Sequence, residues 1–333
     1  MAKTEILRSF VQLGENIRTN INRDELIQSA LNENAWFTRQ SIEKAFEGLS
    51  NYLNADKLEQ WSSSYPFTKN TQKIGLVMAG NIPFVGFHDL LSVLVSGHKA
   101  VVKLSSDDRV LMRWVIEELI AINPQLQHRI FITDLLKDIE AVIATGSNNT
   151  ARYFDYYFSK YPHIIRKNRN AVAVLDGTES QEQLENLAED IFSYFGLGCR
   201  NVSKLYVPEG YNFNFLFECL NTRQAVIQHH KYANNYDYYK SILLVNKEAH
   251  LDNGFVLLQQ NKKISSPVAV LYYDFYIDLN EVRAELDKRQ EEIQCIVADK
   301  NKIPEAINFG NSQNPELWDY ADNVDTMAFL AKL

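Results

Sequence analysis

Cysteine is scarce in this 333-residue chain. The three that occur, Cys199, Cys219 and Cys295, are odd in number and too widely spread for a disulfide framework. No Cys and His grouping has the spacing of a zinc site, so no metal is expected. Positive charge is short as well: 34 Lys and Arg face 42 Asp and Glu, a net charge of -8, and no basic block forms. That balance argues against a nucleic-acid partner. Long apolar runs are missing too. Met1 to Asn20 mixes charged and apolar residues without a signal-peptide core, and no run reaches membrane-spanning length. A soluble, reduced, cytoplasmic protein with no membrane insertion is expected. Neither a Gly-x-Gly-x-x-Gly fingerprint nor a Gly-x-x-x-x-Gly-Lys-Ser loop occurs.

What the chain does have is enough apolar residue, 46%, to bury a large core at a length where one core usually splits into two. Residues 1 to about 65 read as helices, with Leu7, Phe10 and Val11, then Ile42, Ala45, Phe46, Leu49 and Leu53, at three- and four-residue steps. From Ile74 short β-branched runs alternate with amphipathic stretches. Strands are predicted at 74–79, 100–104, 130–133 and 141–145, and helices at 83–96 and 107–122. Such alternation gives a parallel sheet with helical crossovers. A second unit begins near Asn170, with a strand at 171–175 and a capping box of Ser180 and Gln183. The helix it opens carries Leu184, Leu187, Ala188, Ile191, Phe192 and Phe195 on one face and ends just before Cys199. A strand at 204–207 follows and stops at Pro208. The adjacent His229 and His230 are expected to point in different directions as ordinary polar residues. The tyrosine-rich stretch 232–239 is expected at an interface or ordinary surface, with pocket lining as the alternative.

Four places bear on chemistry. Cys199 stands among Gly196, Gly198 and Arg200, where glycines permit close backbone approach and a cation favours thiolate. Asn81 follows a strand and precedes Ile82-Pro83 and a helix whose first turn tolerates proline. Lys103, Ser105 and Ser106 end a second strand, in positions suited to ribose or phosphate oxygens. Thr145, Gly146 and Ser147 lead from a strand into a helix start, where backbone N–H groups favour an anion. Each of the last three, taken alone, is equally explained as a strand-to-helix turn.

The order of these pieces, Asn-x-Pro, then Ser96-Gly97-His98-Lys99 before Val101-Val102-Lys103, then Thr145-Gly146-Ser147, then Gly198-Cys199, resembles the aldehyde dehydrogenase superfamily over about residues 70 to 333. Within it the chain is most similar to the acyl-CoA reductases of the LuxC type. The ending, from Asn308-Phe309-Gly310 through Asp319-Tyr320-Ala321-Asp322 to Val324-Asp325-Thr326-Met327, resembles a group of uncharacterised acyl-CoA reductases. The resemblance implies an α/β, aldehyde dehydrogenase-like fold: an N-terminal helical segment (1–70), then two Rossmann-like parallel-sheet domains with a cleft between them. These would be a nicotinamide cofactor-binding domain (71–165) and a catalytic domain (166–333). It further implies Cys199 as nucleophile, the Asn81 amide and the Cys199 backbone N–H as oxyanion donors, and Lys103 at the adenosine ribose or its phosphate. Ser105 and Ser106 would stand beside Lys103, with Thr145, Gly146 and Ser147 near the pyrophosphate.

Departures from the superfamily pattern sharpen the expected reaction. Oxidative relatives carry a water-activating Glu in a Glu-Leu-Gly-Gly-Lys segment; the matching stretch here is Ile165-Arg166-Lys167-Asn168-Arg169, with Ile165 at the Glu position. Hydrolysing a thioester needs a general base, whereas reducing it does not. Ser106 stands where NAD-preferring relatives have an acid, which favours NADPH, NADH staying open. The motif Glu-x-Phe-Gly-Pro becomes Lys263-Ile264-Ser265-Ser266-Pro267, replacing the Glu that holds the nicotinamide ribose. The sequence ends at Leu333, without the trailing strand through which many relatives oligomerise. The expected function is NADPH-dependent reduction of an acyl-CoA, or other acyl thioester, to the aldehyde through a Cys199 thioester. The alternatives are an NAD(P)-dependent aldehyde dehydrogenase, thioester hydrolysis or acyl transfer without redox chemistry, and a non-catalytic acyl-binding or partner protein of the same fold. A homodimer and an acyl-transfer partner protein both stay open.

Overall fold

Apolar residues at helical spacing make the first part of the chain all-helical, and β-branched runs from Ile74 onward make the sheets. The computed structural model describes residues 1–19 and 23–333. It divides into two units, residues 1–168 with 316–333, and residues 169–315.

In the first unit α1 (Lys3–Thr19), α2 (Asp24–Glu33), α3 (Arg39–Tyr52) and α4 (Ala55–Ser63) bury Phe10, Leu13, Ile42 and Phe46 along their apolar faces. A Thr38 and Ser41 capping box starts α3, and the Asn54 carboxamide accepts from two backbone N–H groups to start α4. The chain then alternates β1 (Lys73–Val77), α5 (Phe87–Val95), β2 (Lys99–Lys103), α6 (Arg109–Ile122), β3 (Ile130–Ile132), β4 (Ala141–Thr145), α7 (Asn148–Phe158) and β5 (His163–Arg166). All pairs are parallel, in the order β3-β2-β1-β4-β5. The order reverses direction between β1 and β4, and that switch point is where open α/β sheets bind ligands, beyond the carboxyl ends of the strands.

The second unit holds β6 (Asn170–Val174), α8 (Gln181–Phe192), β7 (Val202–Pro208), α9 (Phe213–Leu220), α10 (His230–Val245), β8 (Leu251–Asp252), β9 (Leu257–Gln260), β10 (Val270–Tyr276), α11 (Leu279–Lys288) and β11 (Ile293–Val297). Its sheet runs β11-β6-β7-β10-β9-β8, parallel except for the short antiparallel β8 and β9 pair. Val172, Val174, Tyr206, Ile264, Val282 and Leu286 belong to its core. The expected capping box is present: Ser180 accepts from the Gln183 N–H while Gln183 accepts from the Ser180 N–H.

After Pro315 the chain rejoins the first unit, ending in α12 (Thr326–Leu330). This differs from the expected division, which kept 316–333 with the catalytic domain. The cause is a set of polar ties. Trp61 Nε1 donates to the Tyr320 hydroxyl at 2.7 Å, Tyr65 donates to Asp325 at 2.8 Å, and Arg166 donates to Thr326 Oγ1 at 2.9 Å. The buried His98 ring accepts the Gln72 N–H and donates to the Leu330 carbonyl at 3.0 Å, which assigns its proton to Nε2. Burial holds the His98 pKa below the usual value, so this neutral form is the stable one.

Other local differences follow from sterics and packing. Pro83 sits in a turn ahead of α5, not in its first helical turn, and α8 stops at Phe192 before reaching Phe195. His229 and His230 do not diverge: their rings stack with centroids 5.1 Å apart. Within the tyrosine stretch Tyr232 and Tyr236 are buried while Tyr238 is exposed, so one face of α10 is core. No helix among the described residues is long and apolar enough to cross a membrane.

Candidate active site

The first unit gathers six of the expected cofactor residues, and Asn81, beyond the carboxyl ends of three neighbouring strands. Val77 is in register with Lys103 of β2 and with Ala144 of β4, so the loops after β1, β2 and β4 lie side by side. Asn81, Lys103, Ser106 and Ser147 are exposed there; Ser105, Thr145 and Gly146 are half-buried. Close approach of backbone explains Gly80: a Cβ at that position would stand 2.5 Å from Ser105 Oγ and 3.0 Å from the Asp108 nitrogen. A Cβ on Gly146 would likewise stand 2.9 Å from the Phe154 ring. An exposed ammonium and exposed hydroxyls fit the ribose and pyrophosphate of a dinucleotide. Ser147 has a prior structural task, since its Oγ caps α7 by accepting the Thr150 N–H at 3.2 Å. One of the amides expected to face an anion is thereby already bonded.

Sequence reasoning missed the residues that hold these loops together. The buried Asn34 carboxamide donates to the Gly80 carbonyl at 3.3 Å and to the Asp107 carbonyl at 3.1 Å, pinning the loops after β1 and β2 to each other. The buried Asp108 carboxylate accepts the Phe84 N–H at 2.8 Å and steadies a left-handed backbone there, φ 60°. Burial drives the Asp108 pKa well above the ordinary carboxylate value, opposed by that hydrogen bond. An Asn and an Asp far apart in sequence carry no local signature of such pairing.

Cys199 lies in the second unit, half-buried, in the turn between α8 and β7. This is the amino end of a strand, unlike the loops of the first unit. The chain leaves α8 through Ser193 and then takes three consecutive left-handed residues, Tyr194 (φ 51°), Phe195 (φ 59°) and Gly196 (φ 77°). For the two that carry a side chain this conformation costs about 1 to 2 kcal/mol each. The Phe195 ring rests on the His229 ring, centroids 4.2 Å apart. Next, residues 198 to 201 close a turn with Cys199 and Arg200 at its corner: the Asn201 N–H donates to the Gly198 carbonyl at 3.0 Å and the Gly198 N–H to Asn201 Oδ1 at 2.8 Å. The other two cysteines differ in setting: Cys219 is buried, and that burial raises its pKa, while Cys295 is half-buried in β11.

Beyond the thiol, β7 grips the segment that replaces the superfamily's Glu motif. Ser203 Oγ donates to the Ile264 carbonyl at 2.8 Å and the fully buried Lys204 ammonium donates to the Asn261 carbonyl. Lys263 itself is exposed. A small cavity of about 30 Å³ opens between Phe195, Gly196, Ser203, Tyr232, Ser266 and Pro267. In the first unit Ile165 packs on the core around Val101 and Val142, and Arg166 beside it is buried against Asp89 at 2.5 Å. Ile165 itself brings no carboxylate there; the carboxylates at that strand end are Asp89, paired with Arg166, and Asp322, which accepts the Lys167 N–H at 3.3 Å. No group of His, Cys, Asp or Glu among the described residues could hold a metal ion.

Comparison with solved structures gives the fold a context. Aldehyde dehydrogenase 21 from Physcomitrella patens, in complex with the reaction product succinate, is 14% identical with a TM-score of 0.68, covering 99% of this chain and 83% of its own. An NAD+ complex of an aldehyde dehydrogenase from Bacillus cereus is 12% identical, TM-score 0.62, over 92% of this chain and 75% of that one. An NADP-dependent enzyme of E. coli is 13% identical, TM-score 0.64, over 93% and 77%. The protein therefore has the aldehyde dehydrogenase fold. No curated protein matches the chain significantly in sequence. A family match does, over residues 19–266, a span that takes in Asn81, Lys103, Ser147 and Cys199, and with it the chain belongs to the acyl-CoA reductase (LuxC) family.

Proposed function

We propose that this protein reduces an acyl-CoA, or another acyl thioester, to the aldehyde through a thioester on Cys199, with NADPH as the electron donor. The observation that supports the reading is the family match over 19–266, a span that includes Cys199, Asn81 and Lys103. The Cys199 sulfur attacks the thioester carbonyl, and the Asn81 carboxamide and the Cys199 backbone N–H hold the oxyanion that develops. Collapse breaks the bond to the carrier sulfur, which leaves as a thiolate, and the acyl group stays on Cys199. When bound, the nicotinamide supplies the hydride that takes this acyl group to the aldehyde level, so that one acyl thioester, one NADPH and one proton give aldehyde, free thiol and NADP+. The Cys199 sulfur departs again as the aldehyde carbonyl forms.

Ile165 supports reduction over hydrolysis. It packs on the core at the position where oxidative relatives carry their base, so this position supplies no carboxylate to activate water. Lys103, Ser105 and Ser106 would hold the adenosine ribose and its phosphate, and Thr145, Gly146 and Ser147 would lie at the pyrophosphate. The test follows NADPH absorbance with a panel of acyl-CoAs of increasing length, with the aldehyde trapped and identified. NADPH consumption matched by aldehyde is expected; acyl-enzyme without NADPH consumption would point instead to acyl transfer or hydrolysis.

A further inference from the structure

We propose that Asn201 is the positioning residue of the Cys199 loop, its carboxamide fixing where the sulfur stands; this rests on the reading of Cys199 as the nucleophile. The side chain is 1% exposed and every polar atom of it is engaged. Its Oδ1 accepts the Gly198 N–H at 2.8 Å, and its Nδ2 is shared among the carbonyls of Asp190 (3.1 Å), Ile191 (3.3 Å) and Ser193 (2.8 Å). These carbonyls belong to the last turn of α8 and its cap, where a helix leaves acceptors without amide partners. Here the chain turns away into the left-handed run at Tyr194, Phe195 and Gly196, and the Asn201 amide supplies the missing donors.

One carboxamide thus ties the residue before the thiol to the helix end behind it. The same residue's backbone N–H closes the turn by bonding the Gly198 carbonyl at 3.0 Å. The helix end is anchored in turn, because the fully buried Asp190 accepts the Gly310 N–H at 2.6 Å and the Ser312 N–H at 2.9 Å. Only asparagine suits this site. Aspartate keeps the acceptor but turns a negative oxygen toward three carbonyls, and glutamine adds a methylene where no room is left. The left-handed run adds a second reason for the tether, since bulky residues hold that conformation only where their surroundings over-determine it.

The experiment uses the full chain with Asn201→Asp and the milder Asn201→Ser, both checked by thermal melting. Turnover with acyl-CoA and NADPH is measured beside the alkylation of Cys199 and Cys295 by iodoacetamide, resolved by peptide mapping. The expected result is a fall in kcat of about 10²-fold in Asn201→Asp with KM changed little, since a misplacement of about 1 Å can cost that much. Cys199 alkylation should change at least about fivefold relative to wild type in both variants while Cys295 stays constant, with Asn201→Ser the smaller in every readout. Folded variants with wild-type kcat and wild-type Cys199 alkylation would overturn the proposal. So would the unfolding of both, which would make Asn201 a requirement of the whole unit instead of its thiol loop. Alkylation needs no acyl-CoA. An inactive wild type with an Asn201-dependent Cys199 rate would therefore sink the proposed reaction and leave the positioning role standing.

Discussion

The two units present their polar groups in opposite ways. In the first, residues suited to a dinucleotide sit on open loops at the carboxyl ends of β1, β2 and β4, where Gly80 lets the Asp108 backbone come close and Gly146 the Phe154 ring. In the second, Cys199 sits at the amino end of β7, behind a left-handed run and held by a buried amide. The first arrangement is generic to parallel sheets, whose strand ends and helix starts leave backbone groups for a ligand. The second is built at one place, by distortion and by a side chain two residues beyond the thiol. Binding a common cofactor asks only for access, whereas a nucleophile must be held in one position while its partner changes from carbonyl to tetrahedral carbon.

The contrast breaks most sharply at the thiol. Cys199→Ala is expected to abolish acyl-enzyme formation, read as the loss of the acyl mass increment after mixing with acyl-CoA. A Cys199→Ala protein that still gains the acyl mass would move the nucleophile elsewhere, with Cys295 the next half-buried thiol. Asn81→Ala comes second. Removing one oxyanion donor typically costs about 10² to 10³ in rate, and because Asn81 is exposed the melting temperature should hold. Unchanged kcat in that variant would remove Asn81 from the site.

The same contrast explains what could be read from sequence. Four of the five strands of the first sheet came within a residue or two of their ends, because short β-branched runs between amphipathic helices have few other solutions; β5 (His163–Arg166) was not read from the sequence. The Ser180 and Gln183 box was legible because capping is local chemistry. Asn34 and Asp108 were not, because each bonds backbone groups that come near only after folding, and Asn201 was not because its amide reaches carbonyls of Asp190, Ile191 and Ser193 in the helix end before it. Phe195 misled: it continues the spacing of the α8 stripe, yet the helix ends at Phe192 and the ring goes to His229. The return of 316–333 to the first unit likewise depends on contacts such as Trp61 to Tyr320, which periodicity does not encode.

Two substitutions sharpen the cofactor side. Gly80→Ala should raise the KM for the dinucleotide about tenfold and cost about 1 to 3 kcal/mol of stability, because its Cβ would meet Ser105 and the Asp108 backbone. A variant that binds cofactor as well as wild type would show that this close approach serves only packing. Ser106→Asp places a negative charge on an exposed loop beside Lys103. It should raise the KM for NADPH about tenfold, equivalent to about 1.4 kcal/mol, and change that for NADH much less. Equal changes for both would argue that Ser106 does not face the 2′-phosphate.

The smallest expected effect concerns the rigidity of the second unit. Burial draws the Lys204 ammonium down to about 8 from an ordinary value of 10.5, against the pull of Asp274 at 3.8 Å. A lysine so shifted costs stability while the fold must carry its charge, and the cost disappears as pH rises from about 8 toward 10.5. The neutral amine can still donate to the Asn261 carbonyl, so the tie between β7 and the 261–264 segment survives. Tyrosines close the window from above. Tyr206, pushed up to about 12 by burial, ionises first in the unfolded chain, so stability falls again above its usual value of 10.0. Between pH 8 and pH 10 the wild-type melting temperature should therefore rise, by roughly 2 to 4 °C, while Lys204→Met should be flat over the same range. A Lys204→Met protein with the wild-type slope would assign the pH dependence to another group and leave Lys204 as a permanently charged tie to Asp274.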